Sequence, residues 1–251
     1  MKKIMAFIML ALSSFGFSQT TDKPEEVKPK TAKKTAKEFL KTNHIPGMAI
    51  SVSRHGKLVW SKGFGYARLK PKKRVKPNKT IFRIASISKS ITAVALAKLA
   101  DDKVIDLDTS IYEYLPDYPK KSYDFTVRQL GGNIAGIRHY KNDSEYALNK
   151  KMSITDGLSL FKDDPLLFEP GTQFNYSSPG YVLLSEIIQK TAKIAYATLV
   201  TDSIFRPLGM THSMVDGSDI KIPNKSQFYS SSVLNGPVIA KPVANGYKAA
   251  S

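Results

Sequence analysis

Between Met48 and Ser53 the side chains alternate, with Ile50 and Val52 on one face, and a second run follows from Leu58 to Tyr66 through Val59, Trp60 and Phe64. His55-Gly56 between them supplies a tight turn, so the pair predicts an antiparallel hairpin. The period then changes. From Ser86 to Ala100, residues Ile87, Ile91, Val94, Ala95 and Leu99 recur at helical spacing. The remaining positions there are mostly Ala, Thr or Ser, which predicts a helix buried nearly all round. Thr126–Leu130 reads as a short helix running into Gly131-Gly132-Asn133, and Met152–Phe161 as another. Pro170-Gly171 marks a turn before a helix over Gly180–Ala195, with Val182, Leu183, Ile187 and Ile188 facing inward. A hairpin followed by a long, mostly helical middle indicates an α+β fold.

The beginning of the chain follows another pattern. Lys2 and Lys3 precede an apolar run from Ile4 to Leu12, and Gly16 and Ser18 stand at the −3 and −1 positions of a cleavage site. That layout predicts a secretory signal peptide over residues 1–18, too short to cross a bilayer as a helix. Residues 19–43 then read as a basic leader, Thr20–Lys37, running into a short helix that ends near Asn43. With no Cys after the apolar run, no lipid attachment is expected. The mature protein is expected to be periplasmic or secreted, with no membrane span, since no later stretch approaches the roughly 20 apolar residues required.

Composition narrows the chemistry. The 251 residues are 42% hydrophobic, with 12 Phe, 12 Tyr and one Trp, enough to bury a core and to exclude a disordered chain. The absence of Cys excludes disulfide scaffolds, zinc ribbons, thioredoxin-like centres and cysteine nucleophiles. With 38 Lys and Arg against 21 Asp and Glu, the net charge of +17 keeps polyanions in play as partners. Arg68–Lys79 is read as a basic loop with no aromatic residue to stack bases, so specific nucleic-acid binding is not expected. An anionic cell-envelope polymer remains as a partner, with a merely solvated loop as the alternative.

Several familiar sites are missing. The sequence has no Gly-x-x-x-x-Gly-Lys phosphate loop, no His-Glu-x-x-His and no Gly-x-Ser-x-Gly elbow. His44, His55, His139 and His212 are scattered at no ligand spacing and read mostly as surface or turn residues, so no metal is expected. Ser86-Ile87-Ser88-Lys89 is more promising. Ser159/Lys162 and Ser218/Lys221 share the Ser-x-x-Lys spacing, but Ser86 is placed at a helix start, where residues three apart lie on one face. A serine hydroxyl becomes a nucleophile when a base takes its proton, and burial and the positive end of the helix dipole both disfavour an ammonium at Lys89. Backbone N–H groups at the same end would meet a developing oxyanion. The plain alternative is a serine cap followed by an exposed lysine. Tyr176, just ahead of a helix, could likewise face a cleft and share a proton with a lysine, or be a packed core tyrosine.

Taken together, Phe82-Arg83-Ile84-Ala85-Ser86-Ile87-Ser88-Lys89-Ser90, Val94–Leu99, Gly136-Ile137-Arg138-His139-Tyr140 and Leu160 through Tyr181 resemble the serine β-lactamase-like family. That family spans class C β-lactamases, low-molecular-weight penicillin-binding proteins and related esterases, and the likeness is greatest to its mitochondrial β-lactamase-like branch and bacterial relatives. The resemblance implies a β-lactamase/transpeptidase-like fold over residues 44–251, with the N-terminal hairpin of the antiparallel sheet and the helical region present and the C-terminal strands missing. It implies Ser86 as the acylated nucleophile, Lys89 as its proton acceptor, and Tyr176 as a second base that protonates the leaving group. Ser178, where many members carry Asn, falls at a substrate-binding position. No cofactor is implied. The substrate would be a small molecule or peptide holding an amide or ester: a D-amino-acid peptide, a β-lactam, a small ester or a peptide. Two departures stand out. Leu130–Gly136 replaces a Leu-Ser-His-x-Ser-Gly type segment, which predicts looser local packing. No Lys-Thr-Gly or His-Thr-Gly triplet occurs, which predicts a truncated form, weak or inactive, with a non-catalytic binding protein as the alternative.

Overall fold

The computed structural model describes residues 29–217, 220–230, 236–240, 244 and 246–250, so the predicted signal peptide lies outside the described residues. Helix α1 (Pro29–Thr42) is mostly Lys, Thr and Ala, yet Ala36 and Leu40, one turn apart, are buried against Phe64. That narrow apolar stripe draws residues 29–37 into a helix, where composition alone assigns them to a solvated leader.

The hairpin forms as its alternation predicts. Strands β1 (Gly47–Arg54) and β2 (Lys57–Arg68) pair antiparallel, with Met48 opposite Phe64 and Val52 opposite Trp60. His55 and Gly56 turn the chain with φ of 50° and 72°. The basic segment after β2 is not wholly loop: β3 (Lys73–Arg74) folds back to pair with Tyr66 and Arg68. This return seats Val75 on the hairpin, where a Cβ on Gly63 would stand 2.3 Å from the Val75 carbonyl oxygen. Glycine leaves the room that the third strand needs.

The larger core is helical. Helix α2 (Ser88–Asp101) is followed by the short helices α3 (Ile111–Tyr114), α4 (Val127–Gly131), α5 (Asp143–Tyr146) and α6 (Ile154–Gly157). Helix α7 (Ser178–Ala192) and α8 (Tyr196–Val200) complete the group. Thr126 and Gln129 close α4 with a reciprocal capping box. Helix α7 is the centre: every residue from Ser178 to Ile188 is buried, including the expected Val182, Leu183, Ile187 and Ile188. Even Glu186 is inside, its carboxylate accepting from Thr155 at 2.9 Å and Gln189 at 2.6 Å. Helix α2 packs on α7 through Ala95, Leu96 and Leu99, but Val94 is 51% exposed and Ala97 is exposed as well. The expectation of burial all round is therefore corrected, since small residues permit close packing on every side without supplying a partner. A two-stranded ribbon, β4 (Tyr229–Ser230) with β5 (Val238–Ile239), lies late in the chain.

Candidate active site

The chain reaches Ser86 along a tethered segment. Ile81 donates its N–H to the Asn224 carbonyl at 3.0 Å and accepts from Ser226 at 2.9 Å. Two residues on, Arg83 is bonded to Asp216, and Lys225 holds the same carboxylate at 2.6 Å. Burial works to raise the Asp216 carboxyl, but these two cations outweigh it and hold it below its usual range. Ala85 then takes a left-handed φ of 46°, unusual for a residue with a Cβ, and begins a 3-10 turn over Ala85–Ile87. Such a conformation costs about 1 kcal/mol or more and persists only where neighbours enforce it. The α-helix proper starts at Ser88, two residues later than the periodicity suggests, which leaves Ser86 exposed on the bend.

Lys89 is buried, 7% exposed, rather than a solvated first-turn lysine. Its Nζ donates to Ser178 Oγ at 3.0 Å and lies 3.4 Å from Ser86 Oγ. The rings of Tyr176 and Tyr181 flank the amine, with centroids 4.8 Å and 5.1 Å away. Ser86, Lys89, Tyr176 and Ser178 are thus brought together. The other Ser-x-x-Lys matches are not part of this cluster: Ser159 donates to the Asp156 carbonyl at 2.6 Å, and Ser218 lies outside the described residues.

Tyr176 arrives from an irregular segment just before α7, whose cap is Ser177: its Oγ accepts from Gly180 N–H at 2.8 Å. The residue is 41% exposed, so the tyrosine is open to solvent rather than packed in the core. Burial acts to raise its pKa, but hydrogen bonds from Ser86 and Lys89 and the lysine's charge outweigh that and hold it below 10. Ser178, the residue expected to bind substrate, is 6% exposed and presents its hydroxyl to Lys89.

His139 belongs here too, and sequence reasoning missed it. His44, His55 and His212 are exposed as expected, but the His139 ring packs edge-on to Tyr176 at 5.6 Å. Its Nδ1 accepts from the Ser178 N–H at 3.2 Å. Burial, then the nearby Lys89 charge, hold it below 6.5, as a neutral ring. Its only signal in the sequence is its place after Gly136-Ile137-Arg138; ligand spacing says nothing about it. The predicted looseness of 130–136 is also corrected. Leu130 and Ala135 are buried, the Ile134 carbonyl accepts from Gly171 N–H at 2.8 Å and the Gly136 carbonyl from Leu167 N–H at 2.8 Å, and just beyond them buried Arg138 bonds Asp164 at 2.6 Å, so the segment is firmly held. Among the described residues, no three His, Cys, Asp or Glu side chains are grouped to hold a metal ion.

Comparison with known proteins bears on the family and the fold. The family model described as Beta-lactamase matches residues 32–251. The human mitochondrial serine β-lactamase-like protein LACTB is 32% identical over 272 aligned positions, covering 81% of this chain and 49% of that protein. This chain therefore spans about half the length of the curated relatives it matches. Among solved structures, the octameric penicillin-binding protein homologue from Pyrococcus abyssi superposes with a TM-score of 0.75 at 25% identity, over 87% of this chain and 51% of that one. The D-amino acid amidase of Ochrobactrum anthropi SV3, complexed with D-phenylalanine, shares the fold at a TM-score of 0.75 and 24% identity, over 88% of this chain and 65% of the amidase.

Proposed function

The chain belongs to the β-lactamase family, and from that premise we propose that it is a serine hydrolase working through an acyl-enzyme at Ser86. The observation that carries this reading is the meeting of Ser86, Lys89 and Tyr176 in one cluster, with the amine buried between two hydroxyls and two rings. The Ser86 hydroxyl attacks the carbonyl carbon of an amide or ester, and its proton passes to the Lys89–Tyr176 pair. The tetrahedral oxyanion forms beside the N–H groups of the turn that opens α2. Tyr176 returns a proton to the leaving nitrogen or oxygen as that bond breaks. Water then attacks the Ser86 ester, the same pair accepts its proton and returns one to Ser86 Oγ as the acyl C–O bond breaks, and the acid is freed.

Ser178 keeps Lys89 in place and offers only a hydroxyl where an amide would add donors, which favours small esters, peptides and D-amino-acid amides over β-lactams. A fluorophosphonate that adds one adduct mass to the wild-type protein, and none to Ser86→Ala, is the expected result. An adduct that survives in Ser86→Ala rejects the nucleophile. A ligand that raises the melting temperature without being consumed, in a protein that takes no label, turns the assignment to a non-catalytic binding protein.

The cationic partner surface is a separate part of the proposal. Residues 29–79 hold fifteen Lys or Arg and a single acid, Glu38, so most of the net charge sits on α1, the hairpin and the basic return strand. That density suits an anionic cell-envelope polymer, consistent with export by the predicted signal peptide. Binding to a phosphate-rich envelope polymer should weaken steeply with salt; salt-insensitive binding, or none, would remove the partner. Within the described residues no helix is long and apolar enough to cross a membrane.

A further inference from the structure

The segment 133–139 and the segment 175–178 lie side by side, joined by hydrogen bonds. Asn175 donates its side-chain amide to the Ile137 carbonyl at 3.2 Å, and Ser177 Oγ donates to the Arg138 carbonyl at 2.7 Å. The bonds at the other end come from one residue. The main-chain carbonyl of Asn133 accepts from Asn175 N–H at 2.9 Å, while its side-chain Oδ1 accepts from Ser177 N–H at 3.0 Å. A single side chain and its own backbone therefore hold the N–H groups of Asn175 and Ser177, the residues on either side of Tyr176.

Asn133 achieves this through its conformation. Its φ is 59°, in the left-handed region, where asparagine is among the few residues with a Cβ to sit readily. The turn is closed behind it by Asn133 N–H to the Leu130 carbonyl at 3.1 Å and Ile134 N–H to the Gln129 carbonyl at 2.9 Å. Glycine would accept the backbone but lacks the acceptor, and a longer side chain would not place an oxygen so close to its own main chain. Tyr176 needs such a grip. Its hydroxyl is at the end of a long rigid ring, and reacting groups must be held within about 0.5 Å and 10–20° of their productive geometry.

We propose that Asn133 is the positioning residue for Tyr176, clamping the N–H groups of the residues on either side of it so that the phenol stays on Ser86 and Lys89. Its catalytic meaning rests on the hydrolase reading above, but the clamp itself does not. The test therefore uses two readouts on three proteins: wild type, Asn133→Gly and Asn133→Asp. Glycine keeps the left-handed backbone and loses the side-chain acceptor, whereas aspartate keeps both. In protein carrying 13Cζ-tyrosine, with the Tyr176 signal assigned from Tyr176→Phe, Tyr176 should titrate below 10 in the wild type. In Asn133→Gly it should titrate closer to 10, because the phenol leaves its donors, and in Asn133→Asp it should return toward the wild-type value. Fluorophosphonate labelling should slow on the order of tenfold to a hundredfold in Asn133→Gly, the range for a displaced catalytic group, with recovery in Asn133→Asp. An unchanged Tyr176 titration in Asn133→Gly overturns the clamp, whatever the label does. A displaced titration in a protein that takes no label upholds the clamp and rejects the hydrolase.

Discussion

Lys89 Nζ stands nearer to the Ser178 hydroxyl, at 3.0 Å, than to the Ser86 hydroxyl, at 3.4 Å. The amine is therefore held by the first residue of α7 while it faces the turn that opens α2. Ser178→Ala removes that hold and should lower the rate of Ser86 labelling by about tenfold, the worth of a hydrogen bond to a charged group. Ser178→Asn restores an acceptor and adds amide donors, so labelling by a penicillin should gain relative to labelling by a small ester. Equal rates for Ser178→Ala and the wild type would show that Lys89 needs no help from α7.

Tyr176 is held below its ordinary value of 10 because Ser86, Lys89 and the lysine charge together overcome its partial burial. As a base it must lose its proton, so the rate should rise with pH through a midpoint below 10. Tyr176→Phe should abolish that limb. A limb that persists unchanged in the phenylalanine variant assigns the titration to another group.

His139 gives the opposite end of the profile. The folded protein holds it below 6.5, through burial first and then the Lys89 charge, with Lys248 and Arg138 acting the same way and Glu145 opposing. The unfolded chain binds the proton more readily, so stability from this residue is full above 6.5 and is lost as pH falls through the lowered folded value. Protonation also removes the acceptor for Ser178 N–H. Melting temperature between pH 7.5 and 5 should fall less in His139→Gln than in the wild type; parallel curves would refute the assignment.

The segment leading to Ser86 depends on one carboxylate. Asp216→Asn would leave Arg83 and Lys225 facing each other across a partly buried site. The expected loss is about 2 kcal/mol, less than for a fully buried pair because both cations keep some water. Wild-type Asp216 contributes above its ordinary value of 3.8 and loses that contribution as pH falls through its lowered folded value. Denaturant unfolding at pH 7 should show the difference between the proteins, and that difference should shrink as pH falls below 3.8.

Gly136 has a φ of 78°, and a Cβ there would stand 2.6 Å from the Phe168 carbonyl oxygen. Gly136→Ala should cost about 2 kcal/mol or more, since both conformation and space oppose it. Unfolding measurements that place it within 0.5 kcal/mol of the wild type would contradict this, a margin about that of a neutral surface change.

By itself the sequence determined what neighbouring residues decide among themselves. Alternation drew the hairpin, the apolar spacing drew α2 and α7, and three residues of helical rise put Lys89 beside Ser86. These depend on local geometry, which a periodic pattern records. Only the tertiary structure decided that Lys89 is buried, that Ser178 from 89 positions away holds it, and that His139 meets Tyr176. It also decided that a left-handed Asn133 grips both sides of that tyrosine. Hydrogen bonds between distant segments leave no period in the chain. They form because packing α2 and α4 on the buried α7 removes water from those groups, and each must then find a partner in the protein.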